Sequence, residues 1–142
     1  MKPAPFDYLS PATLDEALAI MGEHGYSAKL LAGGQSLIPT MNFRLAQPSL
    51  LVDLNGVGEL NKLHPDESHG VRIGAMVRHS QVEYSQVVRD LAPLLFEVMP
   101  HIAHPQIRNR GTIGGSLAHA DPASELPVVM VALQAGFRLK RL

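Results

Sequence analysis

The sequence predicts an α+β fold made of two lobes. Residues 1–55 are expected to form a small parallel βαβ lobe, because two short apolar runs flank a helix candidate there. Residues 56–142 are expected to form a second α+β lobe with a mostly antiparallel sheet, because two strand candidates are separated by a polar, turn-rich segment. A strand candidate at the very end of the chain has no partner after it, so the second lobe is expected to be incomplete.

The first lobe begins with an extended entry segment, residues 3–10, in which Phe6 and Tyr8 are expected to anchor on the core. A capping box, Thr13 to Glu16, starts a helix whose apolar residues follow at helical spacing. Glycines on either side of His24 predict the end of that helix near this residue.

The βαβ unit itself covers residues 28–54. Residues 28–32 form a short apolar run bounded by glycines, which is typical of a buried strand. Residues 37–44 are a short helix candidate with Pro39 in its first turn, where the missing N–H costs nothing. Residues 49–54 are the second strand, and a strand, a helix and a strand at this spacing predict parallel pairing.

The second lobe is predicted to contain a hairpin and several helices. The predicted strands are residues 60–63 and 71–75, joined by the loop His64 to Gly70. The predicted later elements are helices at 80–89, 93–99 and 126–133, a helix C-cap at Gly136, and a strand at 137–140.

Composition excludes several classes of protein. The formal net charge is −1 and no basic run appears before the last residues, so no nucleic-acid partner is expected. There is no cysteine, which excludes a disulfide, a thiolate metal site or an iron–sulfur cluster held by this chain. No stretch approaches ~18 uninterrupted apolar residues, so no integral membrane segment is expected, and the predicted location is cytoplasmic.

Two glycine-rich segments are the candidate binding elements. The first loop, residues 32–37, follows a predicted buried strand and precedes a helix, an arrangement that binds phosphate through backbone N–H groups. The second loop, residues 110–116, has similar composition. Neither has the Gly-x-Gly-x-x-Gly spacing or the Gly-Lys-Ser/Thr ending of the common nucleotide motifs. Two such loops indicate two anchors for one extended ligand such as a dinucleotide pyrophosphate, although each alone is also compatible with an ordinary turn.

These segments resemble the FAD-binding medium subunit of molybdenum hydroxylases. The likeness rests on Lys29-Leu30-Leu31-Ala32-Gly33-Gly34-Gln35-Ser36-Leu37, on Ile107-Arg108-Asn109-Arg110-Gly111-Thr112-Ile113-Gly114-Gly115-Ser116, and on Asp121-Pro122-Ala123-Ser124-Glu125-Leu126-Pro127. It is nearest to the medium subunits of aerobic carbon monoxide dehydrogenases, and more distant from the flavin domain of xanthine dehydrogenase. The resemblance implies the PCMH-type FAD-binding fold. Full medium subunits continue with more flavin domain and a C-terminal domain, so this sequence is expected to correspond to the N-terminal portion.

The resemblance also implies a set of FAD-binding residues. Ala32 to Ser36 would wrap the pyrophosphate, Thr112 to Ser116 would close on it from the other side, and Glu125 would accept a hydrogen bond from a hydroxyl of the cofactor. The implied set is Lys29, Ala32, Gly33, Gly34, Gln35, Ser36, Leu37, Ile102, Ala103, Thr112, Ile113, Gly114, Gly115, Ser116 and Glu125, with Lys29 at the edge of the cofactor and Ile102 and Ala103 near the adenine.

The implied function is that of a flavin electron-transfer subunit. The implied partners are an iron–sulfur small subunit and a molybdopterin large subunit. This chain would bind the FAD of that oxidoreductase complex, and it would contribute neither a catalytic side chain nor a metal of its own. Two alternatives remain: a cofactor-free assembly fragment of such a complex, and a domain binding a free nucleotide such as ADP.

Two pairs of histidines are candidate metal ligands. His101 and His104 lie three residues apart, and His64 and His69 flank a predicted loop, but no third ligand follows at a supporting spacing. No metal is therefore predicted.

Overall fold

The structure is a computed structural model that describes residues 1–68 and 70–141. Its strands are β1 (Asp7–Leu9), β2 (Ala28–Leu31), β3 (Leu50–Asp53), β4 (Leu63–Asp66) and β5 (Gly70–Ile73). Its α-helices are α1 (Leu14–His24), α2 (Leu37–Asn42), α3 (His79–Glu83), α4 (Gln86–Leu91), α5 (Pro93–Val98), α6 (Pro105–Arg108), α7 (Ile113–His119) and α8 (Glu125–Ala132). The predicted α+β class is confirmed.

A parallel three-stranded sheet organises the first lobe. Its strand order is β1-β3-β2, with Leu50 opposite both Asp7 and Ala28. The central strand β3 is buried along its whole length, as expected for a parallel strand with neighbours on both sides. The predicted βαβ unit is confirmed. The entry segment adds the third strand, β1, but Tyr8 is 52% exposed, so the expected anchoring of this ring on the core is wrong.

Helix α1 packs on this sheet and starts as predicted. The side chain of Thr13 accepts a hydrogen bond from the backbone of Glu16, and the Glu16 carboxylate accepts in return at the helix start. The first core joins Ala17 of this helix to Ala28, Leu50 and Val52 of the sheet.

The second lobe contains the predicted hairpin with shifted strands. Strand β4 pairs with β5 in antiparallel register, with Leu63 opposite Ile73. His64 and Pro65 therefore belong to a strand and not to the predicted loop. Proline is tolerated here because the two-stranded sheet leaves both strands at an edge, where no ladder N–H is required. His69, at the end of the predicted loop, lies outside the described residues.

Three predictions for the second lobe are wrong. The single helix predicted at 80–89 is two helices, because Ser85 caps α4 by accepting a hydrogen bond from the N–H of Val88 at 3.3 Å. Helix α8 ends near Leu133, and Gln134 takes the left-handed turn at φ 51°, so Gly136 is not the cap. Residues 137–140 form no strand, since no described strand pairs with them.

The second core lies between helices α3–α5 and α7–α8 and the hairpin. Its fully buried members include Val77, Val82, Val88, Leu95, Met99 and Leu126. No helix in the described part of the chain is long and apolar enough to cross a membrane. The division of the chain at residues 55 and 56 stays a prediction.

Candidate cofactor site

The structure brings the two glycine-rich segments into direct contact. A Cβ atom built on Gly33 would lie 2.9 Å from the carbonyl carbon of Arg110 and 2.9 Å from Gly111 Cα, and closer still to the Arg110 oxygen. A Cβ built on Gly115 would lie 3.3 Å from the Cβ of Ala32. The loops can approach this closely only because glycine carries no side chain.

The first loop offers a row of unused backbone donors. The N–H groups of Gly34, Gln35, Ser36 and Leu37 find no acceptor among the described residues. Gly34 adopts φ +73°, which turns the chain sharply at the end of β2. The Gln35 side chain folds back onto its own loop, with Nε2 donating to the Gly33 oxygen at 3.1 Å. The hydroxyl of the exposed Ser36 has no hydrogen-bond partner within the described residues, so it too is available to a ligand.

The second glycine-rich segment is not the open loop that its composition predicts. It forms the first turn of α7, with Thr112 as N-cap. Its backbone N–H groups are used within the chain: Ile113 donates to Val77 at 3.0 Å, Gly114 to Ala75 at 2.9 Å, Gly115 to the Thr112 hydroxyl at 3.1 Å, and Ser116 to the Thr112 carbonyl at 3.0 Å. A threonine before glycines signals such a cap, and that signal was available in the sequence. Backbone donation to a ligand is therefore concentrated in the first loop.

Two side chains that sequence reasoning missed connect the loops. Asn55 Nδ2 donates to the Ala32 carbonyl at 3.1 Å, and the guanidinium of Arg78 donates to both the Asn55 side-chain oxygen and the Arg110 carbonyl. Neither residue belongs to a glycine-rich motif, and no local pattern marks them.

Asp53 anchors this network at the end of β3. Its carboxylate accepts from the Tyr8 hydroxyl and from both the backbone and the side chain of Asn55. Burial alone would raise the pKa of Asp53, but these hydrogen bonds outweigh it and the pKa is lowered. The same bond to Asp53 raises the pKa of Tyr8. Both shifts favour the state in which the Asp53 carboxyl group is ionised and the Tyr8 hydroxyl is neutral.

Arg78 brings a positive charge to the junction of the loops. Burial and then the charge of Arg110 lower the pKa of Arg78, and the charge of Asp53 acts in the opposite direction. Neither arginine forms an ion pair with a described carboxylate. The Arg78 guanidinium, which donates to the Arg110 carbonyl close to Gly33, adds positive charge near the free N–H groups of the first loop, and this combination suits an anionic ligand.

A buried ion pair fixes the segment that carries Ile102 and Ala103. Arg108 contacts Glu83 through two bonds, Nε to Oε2 at 2.7 Å and Nη2 to Oε1 at 3.0 Å. Its Nη1 atom also donates to the carbonyls of Pro100, Ile102 and Ala103 at 3.3, 3.1 and 3.3 Å. The Ile102 side chain lies in the second core, whereas Ala103 is exposed with φ 49°.

The remaining predicted residues lie at different distances from the loops. Glu125 starts α8 beside the second segment, where the hydroxyls of Ser116 and Ser124 are 3.4 Å apart. Lys29 lines a separate groove with Tyr26 and residues 45–49, none of which belongs to either loop. The cofactor contacts assigned to the full set of residues stay predictions. Within the described ranges, no three His, Asp or Glu side chains are grouped to hold a metal ion.

His79 is an unusual buried polar residue behind the second segment. It is 4% exposed, and neither ring nitrogen has a hydrogen-bond partner among the described residues. Its ring packs against Gly111, since a Cβ there would lie 3.0 Å from both Cε1 and Nδ1. Burial lowers the pKa of His79 below 6.5; the nearby backbone of Thr112 and the charge of Glu125 oppose this shift, and the charges of Arg108 and Arg78 support it.

This histidine predicts a pH dependence of stability. Below pH 6.5 the unfolded chain binds a proton that the folded chain takes up only at lower pH, so the free energy of unfolding decreases as the pH falls. The slope approaches about 1.4 kcal/mol per pH unit at its steepest. His79→Phe should remove this slope in urea titrations between pH 7 and pH 5, whereas the surface variant His24→Phe should retain it. An equal slope in wild type and His79→Phe would contradict the assignment.

Comparison with known proteins places this geometry in a family. Residues 4–142 match the family described as the FAD binding domain in molybdopterin dehydrogenase. The chain is 47% identical over 140 residues to the caffeine dehydrogenase subunit beta of Pseudomonas sp. strain CBB1, covering 99% of this chain and 47% of that protein. It is 44% identical over 140 residues to the carbon monoxide dehydrogenase medium chain of Hydrogenophaga pseudoflava, covering 99% and 48%.

A solved structure agrees with the sequence comparison. The carbon monoxide dehydrogenase of Hydrogenophaga pseudoflava that lacks the Mo-pyranopterin moiety superposes with a TM-score of 0.90 at 45% identity, over 93% of this chain and 46% of that one. The chain thus spans just under half the length of these relatives. The resemblance drawn from the two glycine-rich segments is confirmed, and FAD is the cofactor it indicates. The chain belongs to the family of FAD binding domains of molybdopterin dehydrogenases.

Proposed function

We propose that this chain holds the diphosphate of FAD at the junction of its two lobes, as the flavin-binding part of a molybdenum hydroxylase. The observation that carries the proposal is the row of unpaired N–H groups from Gly34 to Leu37. Backbone donors at a glycine turn bind phosphate oxygens without requiring a charged side chain.

The residues present fit this cofactor in charge as well as in their hydrogen-bond donors. The diphosphate is anionic, and the guanidinium group of Arg78 lies between the two segments, where it donates to the Arg110 carbonyl and to Asn55. The exposed Ser36 hydroxyl adds one more donor. Since Ile113 to Ser116 use their own N–H groups internally, their role is to close the site by packing, with Gly115 against Ala32.

The chemistry is that of electron transfer within a larger complex. When bound, FAD would supply the redox chemistry that connects the iron–sulfur clusters of a small partner subunit, fed by a molybdopterin subunit, to an external acceptor. We propose a complex similar to carbon monoxide dehydrogenase, whose medium chain this sequence resembles. The proposal names no substrate, because the caffeine dehydrogenase subunit is 47% identical to this chain and the carbon monoxide dehydrogenase medium chain is 44% identical. A cytoplasmic location stays a prediction from the sequence.

The rival proposal is an assembly fragment that binds partners and no cofactor. An absorbance scan of the purified chain, followed by fluorescence titration with FAD and then with ADP, separates the proposals. We expect saturable FAD binding that is tighter than ADP binding. A folded chain, verified by circular dichroism, that binds neither nucleotide would favour the assembly fragment.

Gly34→Val tests the donor row directly. A Cβ at this position would lie 3.1 Å from Ile38 and 3.3 Å from Leu31, and φ +73° is unfavourable for a branched residue. We expect the turn to distort and FAD affinity to fall about tenfold, as when one charge-assisted hydrogen bond is lost. Gly136→Val is the matched control, because nothing lies within 4 Å of its added Cβ. Equal affinity in both variants would show that the donor row does not hold the cofactor.

A further inference from the structure

Asn55 and Arg78 form a hydrogen-bonded bridge between the two glycine-rich segments. Asn55 Nδ2 donates to the Ala32 carbonyl at 3.1 Å on the first loop, and Arg78 donates to the Arg110 carbonyl on the second. The Arg78 guanidinium also donates to the side-chain oxygen of Asn55, which completes the connection. The link thus runs from backbone to backbone through two side chains.

This bridge is the hydrogen-bonded connection that holds the loops against each other. Within the described residues, no hydrogen bond runs directly from residues 32–37 to residues 110–116. The two segments touch through Gly33 and Gly115, which contribute only van der Waals contact. Van der Waals contact is nondirectional, so the relative position of the segments depends on the bridge.

Both ends of the bridge are themselves fixed. The Asn55 amide is oriented by the Asp53 carboxylate, whose oxygen accepts from its backbone at 2.9 Å and also from its side chain. The backbone around Arg78 pairs with the second segment, since His79 donates to Gly111 at 3.0 Å and Ile113 donates to Val77 at 3.0 Å. The planar guanidinium of Arg78 reaches two acceptors in a fixed geometry, so less side-chain freedom is lost for each hydrogen bond formed.

We propose that Asn55 and Arg78 are positioning residues for the FAD diphosphate: they set the spacing of the two glycine-rich segments, and Arg78, which forms no ion pair with a described carboxylate, adds a positive charge beside the diphosphate. The inference rests on the proposed function, because it concerns the same site. A binding site requires supporting side chains that hold its donors in place before the ligand arrives. Here Asn55 holds the carbonyl of Ala32 and Arg78 holds the carbonyl of Arg110. The bridge thereby fixes the orientation of the N–H groups that follow Ala32.

The test compares Arg78→Met and Asn55→Ala with Arg72→Met in the full chain. Arg72 is the matched control, because Arg72→Met removes the same charge with the same substitution, but at a residue on the hairpin, where it pairs with Asp66. We expect each bridge variant to weaken FAD binding about tenfold, and the double variant to weaken it little further, since the two side chains act as one unit. The ³¹P resonances of bound FAD should shift in the bridge variants and stay unchanged in Arg72→Met.

A second measurement needs no FAD. Amide hydrogen exchange of the cofactor-free chain should accelerate across residues 32–37 and 110–116 in both bridge variants, with the hairpin unchanged. Arg78→Lys keeps the charge but lacks the planar fork that reaches two acceptors, and it replaces Arg78→Met if that variant does not fold.

The outcomes separate this inference from the proposed function. Wild-type affinity and ³¹P shifts in Arg78→Met and Asn55→Ala would overturn the positioning role while leaving FAD binding intact. If the wild-type chain binds no FAD while the bridge variants show faster exchange in both loops, the proposed function is overturned. The bridge would then still be the feature that sets the spacing of the loops. Unchanged exchange in the bridge variants would overturn the bridge itself.

Discussion

Gly33→Ala is expected to weaken FAD binding by about two orders of magnitude, because it forces apart the two segments that form the site. The added Cβ would meet backbone atoms of Arg110 and Gly111, at 2.9 Å or less. Backbone atoms cannot rotate away as a flexible side chain does, so the loops must separate. The separation also disturbs packing, and we expect the free energy of unfolding to fall by about 2–3 kcal/mol, in the upper range for overpacking.

The measurement is a fluorescence titration with FAD together with urea unfolding of the cofactor-free chain. Gly58→Ala is the control: it makes the same chemical change at a glycine with nothing within 4 Å of the added Cβ. We expect the control to bind FAD like wild type. If Gly33→Ala also retained wild-type affinity, the contact between the loops would have no part in binding.

The first lobe was the more predictable part of the fold. Its elements carry local signals: the capping box at Thr13, the apolar run that forms β2, and the proline in the first turn of α2. Parallel pairing then follows from the lengths of the strands and of the connection between them. What the sequence did not reveal is that residues 7–9 form a strand. This segment is exposed throughout, and its strand conformation depends on pairing with β3.

The second lobe was less predictable, because distant partners decide its boundaries. Whether residues 137–140 become a strand depends on a neighbouring strand and not on their own alternation of polar and apolar side chains. Ser85 interrupts a helical pattern by capping the following helix, which competes with the apolar spacing that favoured one long helix.

The sequence pointed to the two glycine-rich segments of the candidate site, but not to the side chains that connect them. Glycines and hydroxyl residues mark the loops by composition alone. Asn55 and Arg78 are separated by 23 residues, and they act on backbone carbonyls, which every residue carries. Such contacts leave no pattern in one sequence. The internal use of the N–H groups of Ile113 to Ser116 was also hidden, because their acceptors include Ala75 and Val77 far upstream.

Arg108→Met should produce the largest loss of stability among single side-chain changes outside the glycines. The substitution leaves the Glu83 carboxylate without its partner in a place where that side chain is only 10% exposed. It also removes the donor to the carbonyls of Pro100, Ile102 and Ala103. Because an unpaired buried charge is costly, we expect the melting temperature to drop by about 10 °C or more. The Ile102–Ala103 segment should then lose its fixed shape.

Arg72→Met provides the contrast, since its ion pair with Asp66 involves an arginine side chain that is 59% exposed. Exposed pairs contribute little, so this variant should melt within a few degrees of wild type.

The double variant Arg108→Met with Glu83→Met removes both charges and should recover part of the loss of stability, because apolar side chains replace a buried ion pair at little cost. A double variant no more stable than Arg108→Met would show that the hydrogen bonds to the 100–103 carbonyls, and not the unpaired carboxylate, account for the effect. In that case Arg108 acts chiefly by shaping the segment assigned to the adenine, and FAD affinity should fall equally in the single and double variants.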